Sequence, residues 1–384
     1  MNKSGVMNKH EAKIAYIRML PGRPYANQIM ASVLQASFPE MQVDVVDVID
    51  LLRSHKSVLA GNLWPLIREY GVDILTGRKS WSRFFLVTSY MFRQIRRLLR
   101  QYLATEQYLF TFQMQSLFDA SLPGVPHFVY TDHTVLANLW YPQIDLRRVL
   151  YSPAWIRLER EIYKHAQLIF VRSANVRRSV IEQYDVLPDK VICVYAGSNV
   201  PITAVSSSPP YHKKHILFVG MDWVRKGGPD LVAAFRQVLV HHPDARLTIV
   251  GCRPAVDVPN CRVVGRVPLH AMRQFYQDAS IFCMPTRLEP FGVVFAEALT
   301  YGLPIVATRV GAVPDMVRDG ENGYLVEPGD VSALAAALDR LLADGERRRL
   351  FGERAREYAQ RYSWERVGQE IRRCIEPVLA GVWR

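Results

Sequence analysis

Short apolar runs rich in β-branched and aromatic residues alternate with longer stretches of helical periodicity along the whole chain. In the first half the runs are Lys13 to Leu20, Gln42 to Val48, His127 to Thr131, Leu168 to Arg172 and Val191 to Tyr195. In the second half they are His215 to Gly220, Arg246 to Gly251, Cys261 to Val264, Ser280 to Pro285, Pro304 to Thr308 and Gly323 to Val326. Strand signals separated by helical ones predict α/β architecture, with parallel sheets covered by helices. Between the two series, Pro201 to Pro210 is rich in Ser and Pro and has no periodicity, which predicts a linker. The chain therefore reads as two doubly wound domains, 1–200 and 213–363, around a linker at 201–212. Such a pair is expected to take its ligand in the central cleft, at the carboxyl ends of the strands.

Within this frame one segment carries more chemistry than the rest, Arg287-Leu288-Glu289-Pro290-Phe291-Gly292-Val293-Val294-Phe295-Ala296-Glu297-Ala298-Leu299. Pro290, Phe291 and Gly292 read as the turn into a helix, whose free N–H groups and positive dipole end suit a phosphate. Glu289 precedes that helix, beside the expected anion. Glu297 lies about two turns further on, so at ~1.5 Å per residue the two carboxylates serve different parts of a long ligand. A Glu before Pro also suits a solvated loop. Glu297 is another matter, because Val293, Val294, Phe295, Ala296, Ala298 and Leu299 surround it and a carboxylate in that setting is costly unless paired.

A second segment, Ile216 to Gly228, reads as a strand, a loop bearing Arg225 and Lys226 between glycines Gly220 and Gly227, and a helix beginning near Pro229. Glycine lets backbone approach a ligand closely, and the two cations can neutralise a diphosphate. An ordinary strand-to-helix loop with exposed charges is the plainer alternative. No G-x-G-x-x-G and no G-x-x-x-x-G-K-[ST] occurs, which weakens dinucleotide and P-loop readings, and no cofactor is expected; Asp-x-Asp is absent too.

At 384 residues the chain fits two domains of common size, and 49% hydrophobic with 22% charged residues describes a globular protein. Met1 to Lys13 is polar and unlike a signal peptide, and no apolar stretch approaches the ~20 residues that span a bilayer. A cytoplasmic location is therefore expected. The five cysteines are scattered without C-x-x-C spacing, which argues against a disulfide framework and a zinc site. The net charge of +12 favours an anionic partner. Between Asp73 and Glu106 there is no acid, and Arg93, Arg96, Arg97 and Arg100 recur as one helical stripe, with Phe92, Ile95, Leu99, Tyr102 and Leu103 largely elsewhere around the helix. That pattern suits a basic amphipathic helix on anionic lipid, peripheral on the inner face of the membrane, and equally the solvated face of an ordinary packed helix.

The Glu289-x7-Glu297 element is followed in order by Gly302-Leu303-Pro304-Ile305-Val306-Ala307, Gly311-Ala312-Val313-Pro314-Asp315 and Asp319-Gly320-Glu321-Asn322-Gly323-Tyr324-Leu325-Val326. This series resembles the family 4 retaining glycosyltransferases of the GT-B fold. The resemblance implies two Rossmann-like domains facing a central cleft, with residues 364–384 forming a helix that crosses back to the N-terminal domain. It also implies that Glu289 holds donor-sugar hydroxyls near the phosphate and that Glu297 holds the ribose, with Phe291, Gly292 and Val293 at the helix start. Gly220, Lys226 and Gly227 match the family's diphosphate loop. Met221 stands where the family has arginine, which makes Arg225 the candidate to replace it. Less specific matches place His133 near the donor sugar, Ser173 at a strand end and Gly22 in the loop after the first strand. The expected reaction is metal-independent, retaining hexosyl transfer from a nucleotide-diphosphate sugar, a UDP sugar by preference, to a glycan or lipid-linked acceptor. No nucleic acid partner is expected. A glycan phosphorylase or nucleotide-sugar epimerase on the same fold, and a non-enzymatic basic binding protein, are the competing readings.

Overall fold

The computed structural model describes residues 12–19, 26–201 and 209–381. Gly22 and most of the expected linker, residues 202–208, lie outside the described residues. The chain divides into two compact units, one made of 1–195 with 364–384 and the other of 196–363. Each is built on a parallel six-stranded sheet.

The strands of the first unit are β1 (Lys13–Arg18), β2 (Gln42–Asp47), β3 (Tyr108–Met114), β4 (His127–Thr131), β5 (Leu168–Val171) and β6 (Val191–Cys193), in the spatial order β2-β1-β3-β4-β5-β6. The central strand β3 is absent from the sequence reading. It follows the helix Ser89–Leu103 after four residues and all seven of its residues are buried, so its apolar run merges with that of the helix. Its interior Gln113 is satisfied by accepting from Ala120 N at 2.9 Å and donating to Phe118 O at 2.5 Å.

The helix Trp364–Ala380 belongs to this unit and packs on the helix Ala26–Ser37. Val367, Ile371, Ile375 and Leu379 recur every four residues, forming one ridge, and all are buried in the cluster that holds Met30, Leu34 and Phe38. Each such side chain contributes about 2 kcal/mol by leaving water. Gly368 is needed for the approach, since a Cβ there would stand 2.3 Å from Ser37 Oγ. Arg372 fastens the pair through Glu40 at 3.0 Å.

The helix Ser89–Leu103, capped by Thr88 accepting from Met91 N at 3.0 Å, carries the arginine stripe. Met91, Phe92, Ile95, Leu98, Leu99 and Leu103 are buried in the core, and Arg96 pairs with Asp119 at 3.1 Å. The apolar side is thus spent on the fold. Arg93, Arg97 and Arg100 remain exposed as a solvated basic face, and a lipid contact through this helix would be electrostatic only.

The second unit has β7 (His215–Val219), β8 (Arg246–Val250), β9 (Cys261–Gly265), β10 (Ile281–Met284), β11 (Ile305–Thr308) and β12 (Gly323–Val326), ordered β12-β11-β10-β7-β8-β9. From β7 the chain builds outward through β8 and β9, then returns to the other side of β7 and builds through β10, β11 and β12. The direction reverses between β7 and β10. At such a switch point the loops leaving two neighbouring strands part to opposite faces and open a crevice.

One buried histidine in the first unit sets an expected acid response. His127 is wholly buried, with Nδ1 2.7 Å from Thr111 Oγ1, and burial pushes its pKa down to about 4 from an ordinary 6.5. A group depressed in this way stabilises the fold fully above pH 6.5, and that stability is lost as pH falls toward 4. The contribution is about 3 kcal/mol. Thermal midpoints recorded between pH 7 and 4 should fall more steeply for the wild type than for His127→Phe. Equal slopes would assign the acid sensitivity to other groups.

Candidate functional site

At the β7/β10 switch the loops that follow the two strands are bonded to each other. Gly220 follows β7, and the loop after it closes on itself through Lys226 N to Asp222 O at 2.9 Å and Gly228 N to Trp223 O at 2.9 Å. Gly227 has φ +73, and a Cβ there would overlap Pro285 O, so only glycine lets this loop meet the end of β10. Arg287 N donates to Arg225 O at 2.8 Å, and the Arg225 guanidinium donates to Leu288 O at 3.0 Å. Arg225 also pairs with Asp222 at 3.2 Å, while Met221 points into solvent.

These contacts bring Lys226 and Glu289 together. The Lys226 stem passes over Gly220, where a Cβ would stand 3.0 Å from its Cγ, and its ammonium is ion-paired with the Glu289 carboxylate. Both side chains are buried. Burial pushes the Lys226 pKa below its ordinary value; Glu289 opposes that shift and nearby Arg225 adds to it. A buried pair of this kind repays little of its desolvation cost, so it is weak evidence for a purely stabilising role.

Glu289 leads into the helix Val293–Thr300, which starts at Gly292 with φ +85 and has no side-chain cap. A Cβ at Gly292 would come within 2.9 Å of the Glu289 side chain, so glycine is what allows the carboxylate to sit against the helix start. Phe291 is buried with its ring 6.2 Å from that of Tyr362, and Val293 is half-buried. The first-turn N–H groups and the dipole of this helix thus have a cation, Lys226, as their neighbour.

Glu297 stands apart from that pair, on the same helix. It accepts from Tyr276 Oη at 2.7 Å and Asn199 Nδ2 at 2.8 Å, and burial raises its pKa while these two bonds lower it. It lines a cavity of about 480 Å³ with Asn199, Leu269, His270, Arg273 and Tyr301. The Tyr276 and Tyr301 rings stack 5.0 Å apart at 4° beside it. A carboxylate with donors already on both oxygens, at the wall of a cavity, still has lone pairs for ligand hydroxyls.

In the first unit, His133 follows β4. Its Nε2 is 3.2 Å from Asn138 Oδ1, its Nδ1 is buried with no hydrogen-bond partner among the described residues, and burial pushes its pKa down. Ser173 is fully buried and caps the helix Ala174–Tyr184 by accepting from Val176 N at 3.2 Å. Its hydroxyl therefore has a local structural use. Sequence reasoning missed Glu159, which is wholly buried and accepts from Ser116 Oγ at 2.8 Å, Val135 N at 3.3 Å and the Tyr184 hydroxyl. With Tyr184 also accepting from Leu136 N at 3.1 Å, this carboxylate ties down the loop that carries His133. Burial pushes its pKa up to about 7. Among the described residues, no three His, Cys, Asp or Glu side chains stand together as metal ligands would.

Known proteins resemble the chain in both sequence and fold. A family description, glycosyl transferases group 1, matches residues 213–344. The D-inositol 3-phosphate glycosyltransferase of Corynebacterium aurimucosum is 29% identical over 278 residues, which cover 63% of this chain and 64% of that one. This chain therefore spans less than two thirds of that relative's length. Sulfoquinovosyl transferase SQD2 of Arabidopsis thaliana is 30% identical over 181 residues, 44% of this chain and 34% of its own. Among solved structures, sucrose-phosphate synthase from Thermosynechococcus elongatus superposes with a TM-score of 0.70 at 18% identity, covering 97% of this chain and 100% of that one. Anabaena HepE in complex with UDP superposes with a TM-score of 0.67 at 16% identity, covering 95% and 100%. Residues 213–344 thus match the glycosyl transferases group 1 family, and the two parallel six-stranded sheets have the GT-B fold.

Proposed function

We propose that this chain transfers a hexose, with retention of anomeric configuration and without a metal, from a nucleotide-diphosphate sugar to a glycan or lipid-linked acceptor at the cytoplasmic face of a membrane. The observation that carries the proposal is the Lys226–Glu289 pair beside the uncapped start of the helix Val293–Thr300, at the switch point of the second sheet. A diphosphate entering there offers Lys226 a doubly charged partner in place of Glu289. Glu289 is then released to accept from sugar hydroxyls. Glu297, with its cavity, takes the ribose and leaves room for the base.

In the transfer, the acceptor oxygen bonds to the anomeric carbon as the bond from that carbon to the phosphate oxygen breaks. The departing phosphate takes the acceptor proton on the same face, and the nucleoside diphosphate leaves. Negative charge grows on the diphosphate during this step, so a fixed cation and a helix dipole stabilise the transition state more than the ground state. Arg225, held between Asp222 and Leu288, is the nearest replacement for the cation that the family has at Met221. His133, whose pKa burial pushes down, is the first unit's candidate for hydrogen-bonding a sugar. HepE has been solved with UDP-glucose, and TarM with UDP and α-GlcNAc-glycerol, which supports a UDP sugar as the first donor to test.

A thermal-shift series with nucleoside diphosphates tests the binding half of this reading. Saturation at about 100 Kd adds ~2.7 kcal/mol to apparent stability, a shift of a few degrees, and a chelator should leave it unchanged. Proton spectra of the product should then show the donor's anomeric configuration. A shift that requires a divalent ion, or an inverted product, would overturn the proposal.

A further inference from the structure

The helix Leu63–Leu75 turns an apolar face to solvent. Trp64 is 72% exposed, Val72 73% and Leu75 89%, with Leu63 and Ile67 exposed along the same side at helical spacing. The exposure does not come from loose packing. The opposite face buries Leu66 and Tyr70 in the core, Tyr70 Oη donates to Val87 O at 2.9 Å, and Glu69 accepts from Ser89 N at 2.9 Å and Ser152 Oγ at 2.7 Å. The helix is clamped in place with its apolar side outward, and the short helix Trp81–Phe84 adds a further exposed indole at Trp81. A contiguous apolar face of this kind marks a surface that something covers.

The charge around the face identifies the cover. From Lys56 to Arg100 the chain has only two acids, Glu69 and Asp73. Both are spent internally, Glu69 on the two serines and Asp73 on Lys79. Lys56, Arg68 and Arg83 are left exposed, with Arg68 among the apolar residues of the outward face. Tryptophan, large aliphatics and Arg68 on one helix face, with Lys56 and Arg83 exposed on neighbouring helices, match the boundary of an anionic bilayer, where indole sits at the headgroups, aliphatics reach the acyl chains and cations meet the phosphates. A second copy of this chain would bring the same cations against each other.

We infer that the outward face of the helix Leu63–Leu75, with Trp81, docks the protein on an anionic lipid surface. The inference deepens the proposed acceptor class and rests on that reading for its purpose. Physically it relocates the lipid contact from the arginine helix, whose apolar side is buried, to a helix whose apolar side is free.

The experiment is flotation of the full chain, without nucleotide sugar, with phosphatidylcholine vesicles that contain or lack phosphatidylglycerol. Wild type should float only with the anionic vesicles. Trp64→Gln/Leu75→Gln should lower the partition coefficient by about tenfold or more, with its melting midpoint and UDP-induced shift unchanged. Arg93→Gln/Arg97→Gln should lower it less. The inference is overturned if wild type ignores anionic vesicles, or if the Trp64/Leu75 variant floats like wild type. It is equally overturned if wild type sediments as a dimer that the variant makes monomeric, since the face is then a subunit interface. Loss of the UDP shift in every protein would sink the nucleotide reading instead and leave the vesicle result standing.

Discussion

Lys226→Ala should lower the catalytic rate by about 100- to 1000-fold, the usual loss when one charge-stabilising donor is removed from a transition state, while affinity for the donor falls far less. Interpreting that loss requires separating it from unfolding, because removing Lys226 strands Glu289 as a buried charge with its ion partner gone. Such strandings cost about 3–5 kcal/mol. The double variant Lys226→Ala/Glu289→Gln should recover the melting midpoint yet remain as slow as the single one. Should the double variant regain turnover along with stability, Lys226 holds the fold and does not assist the departing diphosphate.

Glu297→Ala should weaken binding of the nucleoside diphosphate itself by roughly ten- to hundredfold, because a hydrogen bond to a charged acceptor is worth about 1.5–3 kcal/mol. The loss should appear with the diphosphate alone, since the ribose, not the sugar, is the assigned partner. Calorimetric titration with UDP and UMP measures it. If the alanine variant binds both as wild type does, the carboxylate serves only Asn199 and Tyr276.

Fold class was legible because parallel sheets bury their strands on both faces and so write continuous apolar runs into the sequence. The same property hid β3, whose run joins that of the preceding helix with only four polar or small residues between. The site divided in a similar way. Glu297 drew notice as a carboxylate in an apolar run, but its partners Asn199 and Tyr276 stand 98 and 21 positions away, and no local pattern points to them. That Lys226 meets Glu289 across 63 positions follows from the adjacency of β7 and β10, a fact of strand order that periodicity does not encode.

The arginine stripe shows the limit most plainly. Its spacing describes a basic face, yet which side of a helix the core claims depends on what packs there, and here the core claims the apolar side. The helix Leu63–Leu75 is the converse. Its residues Trp64, Ile67 and Leu75 have the spacing of a buried stripe, and the fold turns them outward. Glu159 went unseen because a glutamate within Arg157-Leu158-Glu159-Arg160-Glu161 looks like any solvated helix residue; only the convergence of Ser116, Val135 and Tyr184 gives it away.

A structure of the chain with a nucleoside diphosphate bound tests the central claim most directly. The account predicts the diphosphate oxygens on the Lys226 ammonium and the N–H groups that open the helix Val293–Thr300, the ribose hydroxyls on Glu297, and the Lys226–Glu289 pair opened. A diphosphate bound elsewhere, or bound with that pair still closed, would contradict it.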